Sequence, residues 1–238
     1  MRLDKLLANT GIGSRKEVKV LLKKKRITVN DTVIRDGGKH INPTMDQIKV
    51  DGNTVHYKPN IYIMMHKPPG VISATEDKRQ KTVIDLLTDE FQHYKPFPVG
   101  RLDKDTEGLL LLTNDGDLAH HLLSPKKKVD KVYYAKIKGR VTEQDHIKFS
   151  NGIQLEDGYM TMPANLNILQ TDDISEVEIT ITEGKFHQVK RMFQAVNKEV
   201  IYLKRKQMGR LKLDDALRVG SYRELSKEEL GYCLSLKK

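Results

Sequence analysis

The chain of 238 residues carries 42 Lys and Arg against 32 Asp and Glu, and its formal net charge of +10 favours polyanionic partners. No stretch approaches the ~18 consecutive apolar residues of a membrane span, and the first residues lack the apolar core of a secretory signal. A single cysteine, Cys233, excludes an intramolecular disulfide or a thiolate zinc site, which fits a reducing compartment. Together with the lack of a membrane span and of a secretory signal, this predicts a soluble, cytoplasmic protein.

Positive charge is concentrated at the start of the chain. Residues 1–57 contain twelve basic and six acidic residues, whereas the remainder contains 30 basic and 26 acidic residues. Pro59 interrupts regular structure just after this basic segment. A hydrophobic fraction of 38% allows a sizeable core. We therefore predict two domains, residues 1–57 and residues 58–238.

Two short helices are predicted near the N-terminus. Helical spacing relates two apolar sets, Leu3, Leu6 and Leu7 and then Val18, Leu21 and Leu22. Ser14 and Glu17 have the spacing of a capping box, in which each side chain satisfies a backbone amide at the start of the second helix. Ile27–Val29 and Thr32–Ile34 flank the pair Asn30 and Asp31, which tolerates positive φ and predicts a hairpin.

A run of cations occupies the exposed side of the second helix. Its members are Arg15, Lys16, Lys19, Lys23, Lys24, Lys25 and Arg26. A solvated helix face is one interpretation, but this density of like charge favours a surface that binds phosphates. Over residues 1–50 the helices, the basic run and the hairpin resemble the S4 RNA-binding domain, which implies that these cations bind RNA.

From residue 61 the pattern changes to short apolar runs bounded by polar residues, glycine or proline, as in a mixed α+β sheet. The predicted strands are Ile61–Met65, Leu109–Leu112, Val132–Ile137 and Val177–Ile181, and the predicted helices lie near Val83–Leu87, Leu118–Leu123 and Phe186–Val196. Neither GxGxxG nor GxxxxGK[ST] occurs, so dinucleotide and P-loop sites are not supported. The eight histidines form no HExxH pattern, and no metal site is predicted.

Residues 98–116 contain the densest cluster of chemical groups. Asp103, Asp105 and Glu107 interrupt sequence that would otherwise form a strand, so the backbone must leave the sheet and turn back. A carboxylate on such a loop suits nucleophilic or acid–base catalysis when a cation such as Arg101 keeps it ionised. The alternative is that Arg101 and Asp103 only pair to hold the loop.

Two further segments carry polar groups at regular spacing. Tyr133 and Tyr134 are neighbours on a strand and must point to opposite sides of the sheet, so one can face a cleft while the other packs. Along residues 186–196, helical spacing predicts a buried face and an opposite polar face. The buried face would hold Phe186, Val189, Met192, Phe193 and Val196, and the polar face His187, Lys190, Arg191 and Gln194.

Several segments in the second domain together resemble the RsuA branch of pseudouridine synthases. They are the loop GRLDKDTEGLLLLTNDG of residues 100–116, the turn HKPPG of residues 66–70, the strand KVY of residues 131–133, the segment EGKFHQVKRM of residues 183–192 and a C-terminal pattern that includes Arg205 and Gly209. The resemblance covers nearly all of residues 1–230. It implies an α+β fold with a small S4-like domain and a catalytic domain built on a mixed, mainly antiparallel sheet flanked by helices.

The resemblance also implies roles for individual residues. Asp103 is identified as the catalytic nucleophile or base, and Tyr133 as the residue that stacks on the target base. Lys190 would pair with Asp103, lowering its pKa and fixing its rotamer, while Arg101, His187 and Arg191 would contact RNA. Without the resemblance, a core tyrosine and a solvated Lys190 and Arg191 are the alternatives.

The implied activity is isomerisation of a uridine in ribosomal RNA to pseudouridine, without cofactor or metal. The enzyme would break the N1–C1′ bond, turn the base and rejoin it through C5. Extruding the nucleotide from its stack costs a few kcal/mol, offset by phosphate contacts and stacking. Asp103 could attack the sugar, add to the base ring or abstract a ribose proton. Residues 120–133 look more like the small-subunit enzyme, which points to 16S rRNA at uridine 516.

The sequence is compatible with three alternative functions. The first is a pseudouridine synthase of the large-subunit 23S branch, and the second is a non-catalytic RNA-binding or ribosome-assembly protein that needs no Asp103. The third is a glycoside or nucleoside hydrolase, which would need a second, acidic carboxylate such as Asp105 about 5 to 9.5 Å from the first. For the pseudouridine synthase we expect a monomer whose partner is ribosomal RNA, most simply 16S rRNA that is free or in an assembly intermediate, and no membrane binding.

Overall fold

The computed structural model describes residues 1–237, which divide into two compact units. Met1–Ile61 and Leu87–Pro96 form the first unit, and Tyr62–Leu86 with the chain from Phe97 onward form the second. The domain boundary that we propose, between residues 57 and 58, lies a few residues before the end of the first of these stretches. The inclusion of Leu87–Pro96 in the first unit was not predicted. Within residues 1–237, no helix combines the length and the apolar character needed to cross a bilayer.

The first unit contains three helices and a four-stranded antiparallel sheet in the order β2-β1-β3-β4. The elements are α1 (Leu3–Asn9), α2 (Arg15–Lys23), α3 (Asp89–Gln92), β1 (Ile27–Val29), β2 (Thr32–Val33), β3 (Ile48–Val50) and β4 (Asn53–Thr54). The predicted capping box is confirmed, since Ser14 N donates to Glu17 Oε2 at 2.7 Å and Glu17 N donates to Ser14 Oγ at 3.3 Å. The hairpin is confirmed as well, with φ of 51° at Asn30 and 60° at Asp31.

The predicted basic helix is shorter than the run of cations. Helix α2 ends at Lys23, and Lys25 has a left-handed backbone with φ of 59°. The prediction that all seven cations share one helix face is therefore wrong for Lys24, Lys25 and Arg26. All seven side chains are nevertheless exposed, and Arg26 is engaged in an ion pair with Asp51.

The second unit is built around a sheet in the order β13-β5-β7-β11-β8-β10-β9, with β6 beside β7 and β12 beside β11. Its strands are β5 (Tyr62–Lys67), β6 (Phe97–Pro98), β7 (Glu107–Thr113), β8 (Lys131–Lys138), β9 (Asn165–Gln170), β10 (Ile174–Ile181), β11 (Glu199–Met208), β12 (Leu211–Lys212) and β13 (Tyr222–Glu224). Its helices are α4 (Gly116–Leu123), α5 (Glu143–Asn151), α6 (Gln188–Ala195) and α7 (Lys227–Ser235). Only β7 and β11 pair in parallel among the strands of residues 1–237, so the predicted mixed, mainly antiparallel α+β fold is confirmed.

Three of the predicted strands fall within β7, β8 and β10, and the fourth, Ile61–Met65, matches β5 except that β5 begins at Tyr62. Strand β7 is buried from Gly108 to Thr113, as expected for a central strand covered on both faces. Strand β8 instead alternates, with Tyr133, Ala135 and Ile137 buried on one side. Rings from α5 and α6 meet, since the centroids of Phe149 and Phe193 are 4.8 Å apart.

Two helix predictions need correction. The segment Val83–Leu87 forms only a 3₁₀ turn at Ile84–Leu86, because an apolar pattern of five residues is too short to fix a helix. Helix α6 begins at Gln188 rather than at Phe186, since His187 is left-handed with φ of 49°. Phe186 therefore lies outside the helix and is 74% exposed, so its assignment to the buried face is wrong.

Candidate active site

The loop that carries Asp103 is held by backbone hydrogen bonds from both sides. Ser73 Oγ donates to Leu102 O at 2.8 Å and accepts from Leu102 N at 3.0 Å. Gly70 N donates to Lys104 O at 2.7 Å. The loop also closes on itself, because Thr106 N donates to Asp103 O at 3.1 Å. The Asp103 backbone is therefore fixed before any substrate arrives.

A buried lysine supports the same loop. Lys67 has no exposed surface, and its Nζ donates to Thr106 O at 2.9 Å, Pro68 O at 3.0 Å and Lys104 O at 3.2 Å. Burial lowers the pKa of Lys67 to about 8, although nearby carboxylates, Asp105 foremost, oppose the shift. The ammonium thus ties three carbonyls together beneath Asp103.

A glycine lets the strand after this loop approach its parallel neighbour. Gly108 has φ of +114°, and a Cβ placed there would lie 2.3 Å from the carbonyl oxygen of Arg205. No side chain fits such a gap, so only glycine allows β7 to run this close to β11.

The carboxylate of Asp103 is partly buried and lies near two side chains from the start of α6. Lys190 Nζ is 3.5 Å from Asp103 Oδ2, and His187 Nε2 is 3.6 Å from Asp103 Oδ1. Lys190 binds Asp105 more closely, at 2.6 and 2.7 Å from its two carboxylate oxygens. One ammonium therefore lies between two carboxylates, whereas the sequence analysis paired it with Asp103 alone.

The two carboxylates on the loop differ in exposure. The Asp103 side chain is 26% exposed and the Asp105 side chain 72%. Burial alone would raise the pKa of Asp105, but the hydrogen bonds and charge of Lys190 bring it below its ordinary value. Asp105 is therefore held ionised.

Asp103 lines a small cavity of about 70 Å³. Its lining residues are Arg101, Leu102, Asp103, Thr106, Tyr133, Ile181, Gly184, Lys185, His187, Gln188, Val189 and Leu203. Ligand pockets usually measure 300–1,000 Å³, so a nucleotide could enter only if the lining moved apart. Larger hollows of about 430 and 450 Å³ lie beside β9 and beside Arg191, but Asp103 and Tyr133 line neither of them.

The two neighbouring tyrosines of β8 occupy different surroundings. Tyr133 is buried and lines the cavity with Asp103. Tyr134 points to the other side of the sheet, where its ring meets that of Tyr202 edge-on at 6.0 Å. Burial and a hydrogen bond with Glu176 raise the pKa of Tyr134 to about 12. Of the two, the structure brings Tyr133 to Asp103.

Sequence reasoning assigned no individual role to three buried polar residues of this unit. Besides Lys67, Arg205 is 2% exposed and lies opposite Tyr133 in the β8–β11 register, with Nε donating to Leu109 O at 2.8 Å. Within residues 1–237, Arg205 Nη2 and Thr106 Oγ1 are buried without a hydrogen-bond partner. A lysine at the end of the mostly apolar strand β5 was the signal available for Lys67, whereas Arg205 lies between Lys204 and Lys206 on β11 and carried no such signal.

The other predicted RNA-contacting residues of this unit divide into two cases. Arg101 is exposed at the cavity, and no ion pair joins it to Asp103 within residues 1–237. Arg191 points instead to a neighbouring loop, where its Nη2 lies 2.6 Å from Asp157 Oδ2. A phosphate at Arg191 would therefore have to compete with that carboxylate.

Two family models match segments of the chain. Residues 61–195 match the family model described as RNA pseudouridylate synthase, and residues 1–48 match the S4 domain. A Bacillus subtilis protein described as an uncharacterized RNA pseudouridine synthase is 54% identical, with 97% of each chain covered.

Relatives with assigned substrates fall into two groups. The ribosomal large subunit pseudouridine synthase B of Bacillus subtilis is 41% identical, covering 96% of this chain and 93% of that protein. The ribosomal small subunit pseudouridine synthase A of Vibrio cholerae is 40% identical, covering 97% and 98%. A crystal structure of a pseudouridylate synthase superposes with a TM-score of 0.69 at 32% identity, covering 98% of this chain and 99% of that one.

Proposed function

The chain belongs to the RNA pseudouridylate synthase family, and we propose that it isomerises a uridine of ribosomal RNA with Asp103 as the nucleophile or base. The observation that carries this proposal is the cavity that Asp103 lines together with His187 and Tyr133, with Lys190 Nζ 3.5 Å from the Asp103 carboxylate. Among the residues that the structure describes, Asp103 is the one carboxylate that lines this cavity. Named relatives of both ribosomal subunits support ribosomal RNA as the substrate.

The proposed chemistry uses groups of this chain alone. The N1–C1′ bond breaks, the base turns, and C5 bonds to C1′, while a proton leaves C5 and N1 gains one. Tyr133 would stack on the base and Lys190 would stabilise the carboxylate of Asp103. Fixed hydrogen bonds to the loop keep this carboxylate aimed, which is the main requirement for such a step.

Asp105 does not suit the role that a hydrolase would require. The general acid of a glycoside hydrolase needs a raised pKa so that it holds a proton near neutral pH. The pKa of Asp105 is lowered instead, because Lys190 binds it directly. This environment favours the isomerase over the hydrolase.

For the target, we propose small-subunit RNA, at uridine 516 of 16S rRNA, as the first candidate. Support comes from the small-subunit relatives and from the sequence of residues 120–133. Large-subunit 23S rRNA is the second candidate, because a Bacillus subtilis relative assigned to that subunit is 41% identical.

The test is to incubate the protein with 16S and 23S transcripts and to map pseudouridine by mass spectrometry. We expect one modified uridine, in the 16S transcript. A single product in the 23S transcript would favour the second candidate. The ribosomal assignment would be wrong if neither transcript were modified and if ribosomal RNA from cells lacking the protein kept every pseudouridine found in wild-type cells.

The cations of the first unit give a separate prediction. Replacing Lys23, Lys24 and Lys25 by Ala should weaken RNA binding regardless of sequence, because phosphate contacts are lost. Each contact contributes about 0.7–0.9 to the slope of log affinity against log salt, so the slope should fall by about two. Affinity measured across a salt series checks this result.

A matched triple variant controls for net charge. Lys148, Lys212 and Lys227 are exposed lysines of the second unit, and replacing all three by Ala removes the same charge. The salt slope should change less in this variant. Equal slopes in the two triple variants would mean that the N-terminal lysines are only solvated.

A further inference from the structure

An exposed aromatic side chain lies beside the cavity and has no place in the chemistry described above. Phe186 is 74% exposed, and its ring stacks on the ring of His187 with centroids 3.8 Å apart and an angle of 17° between their planes. Single exposed apolar residues are common on protein surfaces and need no special explanation. The surroundings of Phe186 set it apart.

The segment before α6 is fixed by a network centred on Glu183. Its carboxylate accepts from Tyr159 Oη at 2.6 Å, from Gln188 Nε2 at 2.8 Å and from Met162 N at 2.9 Å. Gln188 Oε1 in turn accepts from Lys185 N at 2.8 Å. Phe186 thus projects outward from an anchored segment.

The backbone next to Phe186 is also unusual. His187 has φ of 49°, a left-handed conformation that residues other than glycine adopt at some cost. This conformation turns the chain just before α6, and Phe186 is thereby excluded from the buried helix face. The left-handed backbone at His187 therefore has a conformational cost, and it accompanies the exposure of a stacked ring pair.

The stacked pair continues into the catalytic cavity. His187 lines the cavity and lies 3.6 Å from Asp103, and Gly184 and Lys185 line the same cavity. Lys185 precedes Phe186 in the chain, and its positively charged Nζ lies 4.7 Å from the centroid of the Tyr159 ring. We call Phe186 and His187 the aromatic rim.

We propose that the aromatic rim stacks on an RNA base adjacent to the extruded uridine. Extrusion uncovers one face of each flanking base, and an outward aromatic ring beside the cavity can cover such a face. The chain contains no Trp, so stacking must come from other rings. The charge of Lys185 suits the adjoining phosphate. This inference rests on the proposed function and adds a second stacking residue to it.

The test uses an RNA fragment containing a uridine that the wild-type protein modifies, with 2-aminopurine on its 5′ or its 3′ side. Binding is measured in the D103N background, where turnover does not disturb the equilibrium. With Phe186 present, we expect the fluorescence of one of the two fragments to be quenched on binding. Phe186→Ala should lose that quenching and weaken affinity about 5- to 150-fold, the range for one stacked base.

Two further variants make the result specific. Phe186→Tyr keeps an aromatic face and should retain both the quenching and the affinity. Leu169→Ala removes a side chain that is 50% exposed on β9 and should change neither. With Asp103 restored, Phe186→Ala should raise KM more than it lowers kcat, because the stacked base is held in both the bound and reacting states.

Failure of this inference is distinguishable from failure of the proposed function. If the modified uridine is found outside ribosomal RNA, the ribosomal proposal is wrong, yet stacking is still tested on the fragment that contains it. Unchanged affinity and unchanged quenching in Phe186→Ala, on a fragment that the wild-type protein modifies, would overturn the stacking role alone.

Discussion

Asp103→Asn is expected to abolish pseudouridine formation while RNA affinity stays nearly unchanged. The amide has almost the same shape as the carboxylate, but it can neither attack as an anion nor accept a proton. The loop should keep its conformation, because Leu102, Lys104 and Thr106 make their hydrogen bonds through the backbone. Loss of a residue that acts at the reacting atoms costs about 10³-fold or more in rate.

Single-turnover rates, with mass spectrometric detection of pseudouridine, measure this loss. Binding of the same RNA and thermal unfolding of the variant serve as controls for folding. Modification that persists at the wild-type rate in Asp103→Asn would show that another group performs the chemistry.

Lys67→Met is expected to damage catalysis more than stability. Methionine fills similar space but donates no hydrogen bond, so the carbonyls of Pro68, Lys104 and Thr106 lose a shared partner. The variant no longer buries a charged ammonium group, and this gain offsets part of the loss. The free energy of unfolding should therefore fall by only about 1–3 kcal/mol. The loop would then shift, and a displacement of about 1 Å at a catalytic group costs on the order of 10²-fold in rate.

A second buried lysine provides the comparison. Lys131 is also buried, and its Nζ donates to Val129 O at 2.9 Å, away from the loop that carries Asp103. Lys131→Met should reduce the free energy of unfolding with a smaller effect on kcat. Chemical denaturation and single-turnover kinetics separate the two effects, and a Lys67→Met enzyme with normal kcat would contradict the supporting role of Lys67.

The pH dependence provides another measurement of the same lysine. Its pKa is about 8 in the folded protein and 10.5 at its ordinary value, so between these pH values the unfolded chain binds more protons. The pKa difference of Lys67 therefore makes the free energy of unfolding about 3 kcal/mol larger above pH 10.5 than below pH 8. This stabilisation is lost as the pH falls from 10.5 through 8. The neutral amine donates fewer hydrogen bonds, so kcat should decline above pH 8, and Lys67→Met should lack this decline.

Local signals predicted much of the fold correctly. Ser14 and Glu17 form their capping box because the interaction spans a single helical turn and needs nothing from the rest of the chain. Asn30 and Asp31 adopt positive φ for a similarly local reason. The run Leu109–Leu112 was identifiable as a buried strand because four leucines in succession have no polar side to expose.

The errors arose where distant groups decide the outcome. Helical spacing placed Phe186 on the buried face of α6, but the network around Glu183 and the turn at His187 make the helix begin later, at Gln188. The binding of Lys190 to Asp105 depends on how a loop 85 residues away is folded. Lys67 could not be assigned a role, because two of the carbonyls that bind it lie 37 and 39 residues further along the chain.

The contact between Gly108 and the Arg205 backbone has a consequence for how this protein can change over time. The loop that carries Asp103 leads into β7, and β11 contributes Leu203 to the cavity; the two strands meet at a point where even a methyl group has no room. At neighbouring positions a substitution can be compensated when a contacting side chain also changes. At Gly108 a new side chain would clash with the backbone of Arg205, and no second substitution removes a backbone atom. Because only the hydrogen side chain of glycine fits at position 108, we expect this position to tolerate no substitution.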